Sequence, residues 1–313
     1  MGRLSEKIKQ IKLLMSEFHQ PVLLKEVIEG LRVRKNGKYI DGTVGGGGHA
    51  LAFLKIDSQI LGLDCDPEAL NHARESLSAA CPALRSGGLK ASWRLVKGNF
   101  KDLAKIAETN DFSQADGVLL DLGVSSYQLN TPDRGFSFQS QGPLDMRMDP
   151  ELGVTAADLI NGLGKNELKK LFQKLGEEKL AGRLAEAVVG ARRLKPIVTC
   201  RQLAEVVLKV KPKKGKIHPA TQIFQALRIA VNDELNNLKE ALPQILEILK
   251  SGGRLGIISF HSGEDRIAKN FLKEKENLGE VKIITKKPIV PGEEETRQNP
   301  RSRSAKLRIG EKN

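Results

Sequence analysis

At 313 residues, 40% of them hydrophobic, the chain is long enough for two domains or for one domain with a large insertion. Lys and Arg number 51 against 38 Asp and Glu; the formal +13 points to a polyanionic partner, and aromatics at 4% exclude a broad base-stacking platform. Three scattered cysteines (Cys65, Cys81, Cys200), histidines without ligand spacing and no long apolar run exclude a disulfide framework, a metal site and a membrane helix, so a reducing, cytoplasmic setting is expected.

In chain order, Met1 to Glu17 is Lys-rich, lacks the apolar block of a secretory signal and reads as a short amphipathic helix. Pro21 is expected as the first residue of a helix whose apolar face carries Val22, Leu24, Val27, Ile28 and Leu31. A strand over 38–41, a helix over 49–56 and a strand over 60–64 follow. Asp66 and Pro67 then open a helix that runs to Ala80. A third strand is expected over 92–96, a helix over 101–108, and a short apolar strand over 115–121, buried on both faces. Repeated βα units with glycine or polar residues at the strand ends describe a doubly wound sheet that binds ligands at its carboxyl edge.

Residues 122–154 show no period and read as a long ordered loop. Helical patterns at 155–161, 165–174, 177–194 and 199–209 read as an all-helical insertion. Lys209 to Pro219 is a basic connector, expected to meet phosphate. One long helix is expected over 220–250, then a strand over 254–260, a helix from His261 and a strand over 281–285. A basic tail carries Lys286, Lys287, Arg297, Arg301, Arg303, Lys306 and Arg308. The expected boundaries are 1–130 and 220–313 for the sheet domain, and 131–219 for the insertion.

The chemistry gathers at Asp41-Gly42-Thr43-Val44-Gly45-Gly46-Gly47-Gly48-His49-Ala50. Here an apolar strand ends in a carboxylate, then glycines, then a helix start. Asp64 falls 19 residues beyond Gly45, the reach of a βαβ unit whose second carboxylate takes ribose hydroxyls. Gly45-x-Gly47-x-x-Ala50 fits a dinucleotide fingerprint. S-adenosylmethionine fits as well, and Asp41 favours it, since a carboxylate there repels a pyrophosphate but pairs with an ammonium. A non-catalytic RNA-binding or assembly protein that keeps this fold is the third reading.

Further segments carry a family resemblance. They are His19-x-Pro21-Val22-Leu23-Leu24, Asp41-Gly42-Thr43 with Gly47-Gly48-His49, Asp116 through Ser126, Arg134-Gly135-Phe136-Ser137-Phe138 and Gly142 through Asp149. His218-Pro219-Ala220-Thr221, Phe224 through Ile229, Ile258-Ser259-Phe260-His261-Ser262 and Asn299 through Ser304 continue it in order to the end of the chain. With these the chain resembles the RsmH/MraW family of small-subunit (16S) ribosomal RNA cytosine-N4 methyltransferases. Gly263 departs from the family pattern, which usually has Leu there.

The resemblance implies a class I S-adenosylmethionine-dependent methyltransferase, a Rossmann-like doubly wound sheet with an inserted all-helical domain. It implies methyl transfer from S-adenosyl-L-methionine to the exocyclic amine of a decoding-region cytidine, cytidine 1402, with the assembled small subunit as partner. It carries cofactor contacts over to Gly47, Gly48, His49 and Asp64, sets Phe100 against the adenine, and closes the site with Asp121 and Gln128. Asp121-Leu122-Gly123-Val124 stands where many amine methyltransferases carry a Pro-Pro-aromatic loop. The carboxylate is present and the prolines and aromatic are not, so Asp121 is the catalytic candidate, for the amine, the cofactor or both. His261, at the end of the fifth strand, reads first as a structural histidine and only second as a catalytic one. The oligomeric state stays open.

Overall fold

The computed structural model of the protein describes residues 21–80, 93–213, 215 and 218–313. The helix expected over Met1 to Glu17 lies outside the described residues, as do His19, Cys81, Lys214 and Lys216.

The chain forms two compact units, one up to Gly123 and again from Leu235 to Asn313, the other Val124–Glu234. The first is built on a seven-stranded sheet: β1 (Lys38–Asp41), β2 (Gln59–Asp64), β3 (Trp93–Lys97), β4 (Ala115–Asp121), β5 (Leu249–Ser259), β6 (Val281–Ile283) and β7 (Lys306–Lys312). Their order is β3-β2-β1-β4-β5-β7-β6. The first five run parallel, and β7 is antiparallel to both β5 and β6. This is the class I Rossmann-like methyltransferase sheet. The chain starts at its middle, steps outward to β3, then returns to β4 beside β1. The topological switch point therefore lies between β1 and β4, whose last residues are Asp41 and Asp121.

Strand residues alternate between two cores, as a pleat of period two requires when both faces are covered. Tyr39, Ile60, Leu119 and Ile258 face α1 (Leu24–Gly30), α2 (Gly48–Leu54) and α3 (Pro67–Ala80). Ile40, Leu61, Leu120 and Ile257 face α4 (Leu103–Thr109), α11 (Glu234–Ile248) and α12 (Ser262–Asn277).

The second unit is helical: α5 (Ser126–Asn130), α6 (Ala156–Gly162), α7 (Lys165–Leu175), α8 (Ala181–Leu194), α9 (Cys200–Val210) and α10 (Thr221–Asn232). Leu168, Phe172, Leu184, Val188, Leu203 and Phe224 share its core. The patternless stretch is ordered by polar side chains. Arg147 clamps Asp145 with two nitrogens, and the Asn232 amide accepts the Met148 N–H and donates to the Met146 carbonyl.

Several expectations are corrected. The single helix expected over 220–250 is two, because Asp233 takes a left-handed φ of 49° and ends α10. The apolar face of α10 belongs to the helical core, so the units divide at 123/124 and 234/235 rather than at 130/131 and 219/220. The helix after Pro21 starts only at Leu24. Leu23 is left-handed there, and its N–H donates to Glu295 Oε1 at 2.7 Å. The basic tail ends in β7, an interior strand. Arg308, 7% exposed, donates to Asp265 Oδ1 at 2.7 Å, and Lys306 lies 3.5 Å from the same carboxylate. In the connector, Lys211 is a strut between Glu178 and Gln222. A further short helix, α13 (Glu293–Gln298), precedes β7. No helix of the described residues is long and apolar enough to cross a membrane.

Candidate active site

The site is built where β1, β2 and β4 end. Asp41 is 1% exposed, and its Oδ1 accepts the Thr43 N–H at 3.2 Å. The Thr43 hydroxyl oxygen in turn accepts the Asp121 N–H at 2.6 Å. The Val44 N–H donates to the Leu63 carbonyl at 2.7 Å, which ties the loop to β2 as well.

The glycines then turn the chain into α2. Gly45 and Gly47 take φ of +49° and +84°, the region that disfavours a side chain. A Cβ at Gly47 would meet Ala73 Cα at 3.3 Å, and one at Gly46 would meet nothing within 4 Å. The loop is thus pressed onto α3 on one side and open on the other. Gly47 caps α2, and Gly48 and His49 are its first two residues.

Asp64 holds the loop from β2. Its Oδ2 accepts the Gly45 N–H and its Oδ1 the Asp66 N–H, each at 2.9 Å. Asp66 caps α3 through the Glu68 N–H. Phe100, half-buried, packs on the second core, and its Cβ lies 3.5 Å from where a Cβ on Gly42 would stand.

Asp121 closes the group. Its Oδ1 is buried with no hydrogen-bond partner among the described residues. Its Oδ2 lies 3.7 Å from His49 Nδ1, while His49 Nε2 sits 3.0 Å from the Val22 carbonyl. From α12, Glu264 Oε2 accepts the Phe260 N–H at 2.8 Å. His261 caps that helix: its Nδ1 accepts the Gly263 N–H at 3.2 Å, and its Nε2 lies 3.2 Å from Glu264 Oε1 without hydrogen-bond alignment. A Cβ at residue 263 would stand 3.1 Å from this ring, so the glycine leaves room for His261 where a leucine would crowd it.

The carboxylates are held above their ordinary range. Burial pushes Asp41 up to about 7, against the Thr43 N–H and with the neighbouring Asp64 charge. Burial pushes Asp64 up to about 6, against its backbone hydrogen bonds. Asp121 is raised well above its usual value by burial first, then by Asp41 and Glu264. The pocket edge therefore gathers three carboxyl groups whose ionisation a cationic ligand would favour.

The structure gathers Gly47, Gly48, His49, Asp64, Phe100 and Asp121 in the sheet unit. Gln128 lies in the helical unit, 4% exposed, where it makes the capping box of α5: its Oε1 accepts the Ser125 N–H at 3.0 Å and its own N–H donates to Ser125 Oγ. Sequence reasoning missed Thr43 and Glu264. The spacing His261-x-x-Glu264 before an amphipathic run is a capping signal that marks the second. No local signal marks the Val22 carbonyl.

The family description "MraW methylase family" matches residues 16–313. A Persephonella marina protein, ribosomal RNA small subunit methyltransferase H, is 47% identical over 299 residues, 94% of this chain and 99% of the relative. A Carboxydothermus hydrogenoformans protein of the same name is 45% identical over 312 residues, 94% of this chain and 97% of the relative. Among solved structures, an rRNA methylase from Streptococcus thermophilus is similar at 11% identity and a TM-score of 0.43, over 94% of this chain and 97% of that one. On the match over nearly its full length, and on identities above two fifths, the chain belongs to the MraW methylase family.

Proposed function

We propose that this protein methylates the exocyclic N4 amine of a cytidine in small-subunit ribosomal RNA, with S-adenosyl-L-methionine as donor and the assembled subunit as substrate. The observation that carries the reading is the buried Asp121 Oδ1 at the switch point, without a hydrogen-bond partner among the described residues, beside a glycine loop and two more raised carboxylates. The names of the relatives support the RNA, and the net +13 supports a polyanion.

The residues fit the donor. Gly46 opens onto space, so backbone can approach a ligand that a side chain would block. Asp64, fixed by two N–H groups, has lone pairs left for ribose hydroxyls. Asp41 and Asp121 suit a ligand with ammonium and sulfonium charges; the pyrophosphate of a dinucleotide would meet them as like charge. Gly47, Gly48 and His49 would meet the donor at the loop, and Phe100 would lie against the adenine.

When bound, the donor supplies an electrophilic methyl group on a positively charged sulfur. The protein's part is position and proton. Cytosine N4 is a weak nucleophile because its lone pair is delocalised into the ring. An acceptor on the amine hydrogen draws that nitrogen toward tetrahedral geometry and takes the proton afterwards. Asp121 Oδ1 is that acceptor. Once ionised beside the donor's positive charge it is a stronger base than an ordinary aspartate, and the target base must leave its stack to reach it.

The test is single-turnover methylation of naked RNA and of assembled subunits, with the product nucleoside identified after digestion, beside calorimetry with S-adenosylmethionine and with NAD. Asp121→Asn should lower the rate at saturating donor about a hundredfold. Full recovery at saturation would leave Asp121 as a binding residue only. NAD binding without donor binding would overturn the reading altogether.

A further inference from the structure

We propose that His49 is the proton partner of Asp121: the imidazole and the carboxylate form a buried pair that holds the proton released from the substrate amine. This rests on the methyl-transfer reading and adds a positioning residue to it.

The geometry assigns the ring's protonation. A carbonyl oxygen only accepts, so the 3.0 Å contact of Nε2 with the Val22 carbonyl puts a hydrogen on Nε2. In the neutral ring the lone pair is then on Nδ1, and Nδ1 is the nitrogen turned to Asp121 Oδ2, 3.7 Å away. The distance is longer than a hydrogen bond and right for a pair that tightens when a proton arrives. A side chain that merely fills the first turn of α2 needs neither contact. Its neighbours Ala50, Leu51 and Phe53 are buried and apolar, and a leucine would pack there.

Asp121 is faced by Asp41 from β1, by Glu264 from α12, with His261 beside it, and by His49 from α2. Two acids oppose its ionisation, and His49 is the base set against them.

The balance is simple. The N4 lone pair forms the new N–C bond as the methyl–sulfur bond breaks, and the sulfur keeps that electron pair as a neutral thioether. The nitrogen, now positive, gives one proton to the Asp121–His49 pair, whose net charge goes from −1 to 0. The proton returns to solvent after the product leaves.

His49→Gln tests this, because a glutamine amide can still donate to the Val22 carbonyl but cannot accept a proton. The single-turnover rate at saturating donor should fall about tenfold or more and its pH profile should shift, whatever the variant does to donor affinity. A rate within twofold of wild type with the same profile would overturn the proposal. So would a loss that saturating donor restores in full, since His49 would then act on donor binding alone. A second measurement needs no turnover: in protein with 15N-labelled histidine, the His49 ring titration should move when Asp121 becomes Asn. No movement sinks the pair. If the wild type methylates no cytidine, the methyl-transfer reading falls, and the ring titration still decides whether the pair exists.

Discussion

Thr43 and Asp121 are joined end to end: the threonine hydroxyl oxygen accepts the aspartate's own N–H at 2.6 Å, across 78 residues of sequence. The loop after β1 and the last residue of β4 are thereby held as one piece, although the two strands pair only as far as Asp41 with Leu119. Thr43→Val keeps the shape and removes the acceptor. It should cost about 1–3 kcal/mol, the penalty for a buried N–H left without a partner, and Thr43→Ser should recover most of it. Denaturant midpoints of the three proteins check this; equal midpoints for Val and wild type would remove the contact from the fold's stability.

The raised carboxylates set a pH dependence with a definite sign. Asp41 at about 7 and Asp64 at about 6 both lie above the 3.8 of the free side chain. The folded, ligand-free protein therefore holds protons that the unfolded chain has lost. Their contribution to stability is complete below about pH 4 and is lost as pH rises through about 6 to 7. Asp41→Asn should accordingly stabilise the ligand-free protein at about pH 8 by roughly 1–3 kcal/mol. Thermal unfolding checks this, and a variant less stable than wild type at that pH would contradict it.

A cationic ligand favours the ionised forms, so binding should expel protons. Affinity for S-adenosylmethionine should rise with pH through about 6 to 7 and then level off. Calorimetry at about pH 6.5 in buffers of different ionisation enthalpy measures the release directly. Heats that do not depend on buffer would mean these carboxylates do not meet the ligand's charge.

Asp64 has two jobs, holding Gly45 and Asp66 and offering its remaining lone pairs. Asp64→Ala should weaken donor binding by about ten- to a hundredfold, from charge-assisted hydrogen bonds of roughly 1.5–3 kcal/mol. Unchanged affinity in a folded variant would take Asp64 out of the site.

The basic residues divide into two kinds. Arg301 and Arg303 are exposed, and Arg301→Glu with Arg303→Glu should weaken RNA binding and flatten its salt dependence by roughly 0.7–0.9 for each phosphate that is no longer neutralised. Lys211 is a strut on the buried Glu178 carboxylate, so Lys211→Met should lower stability and leave the salt slope alone. A slope that responds to Lys211 and not to the arginines would reverse this division.

β1, β2 and β4 were legible because each is a short apolar run ended by a carboxylate, and β4 was read to its observed limits, Ala115 and Asp121. β7 was not. Lys306-Leu307-Arg308-Ile309-Gly310-Glu311-Lys312 looks like a charged tail until Arg308 is seen to spend its charge on Asp265, a partner 43 residues away. The break at Asp233 was equally hidden, since neither glycine nor proline marks it. At the site, the glycine loop, Asp64 and Asp121 follow from spacing along the chain. Thr43, Glu264 and the Val22 carbonyl matter through contacts that no local window contains.

The place of β7 has a consequence for synthesis. It is made after β6 yet lies between β5 and β6, so β6 has no strand to pair with until residues 306–312 have left the ribosome. Until then β5 presents an open edge carrying Leu255 and Ile257, the kind of edge that recruits a neighbouring chain. Nascent chains stalled before Lys306 should therefore be the aggregation-prone species, and the last strand to be made is the one that seals the sheet.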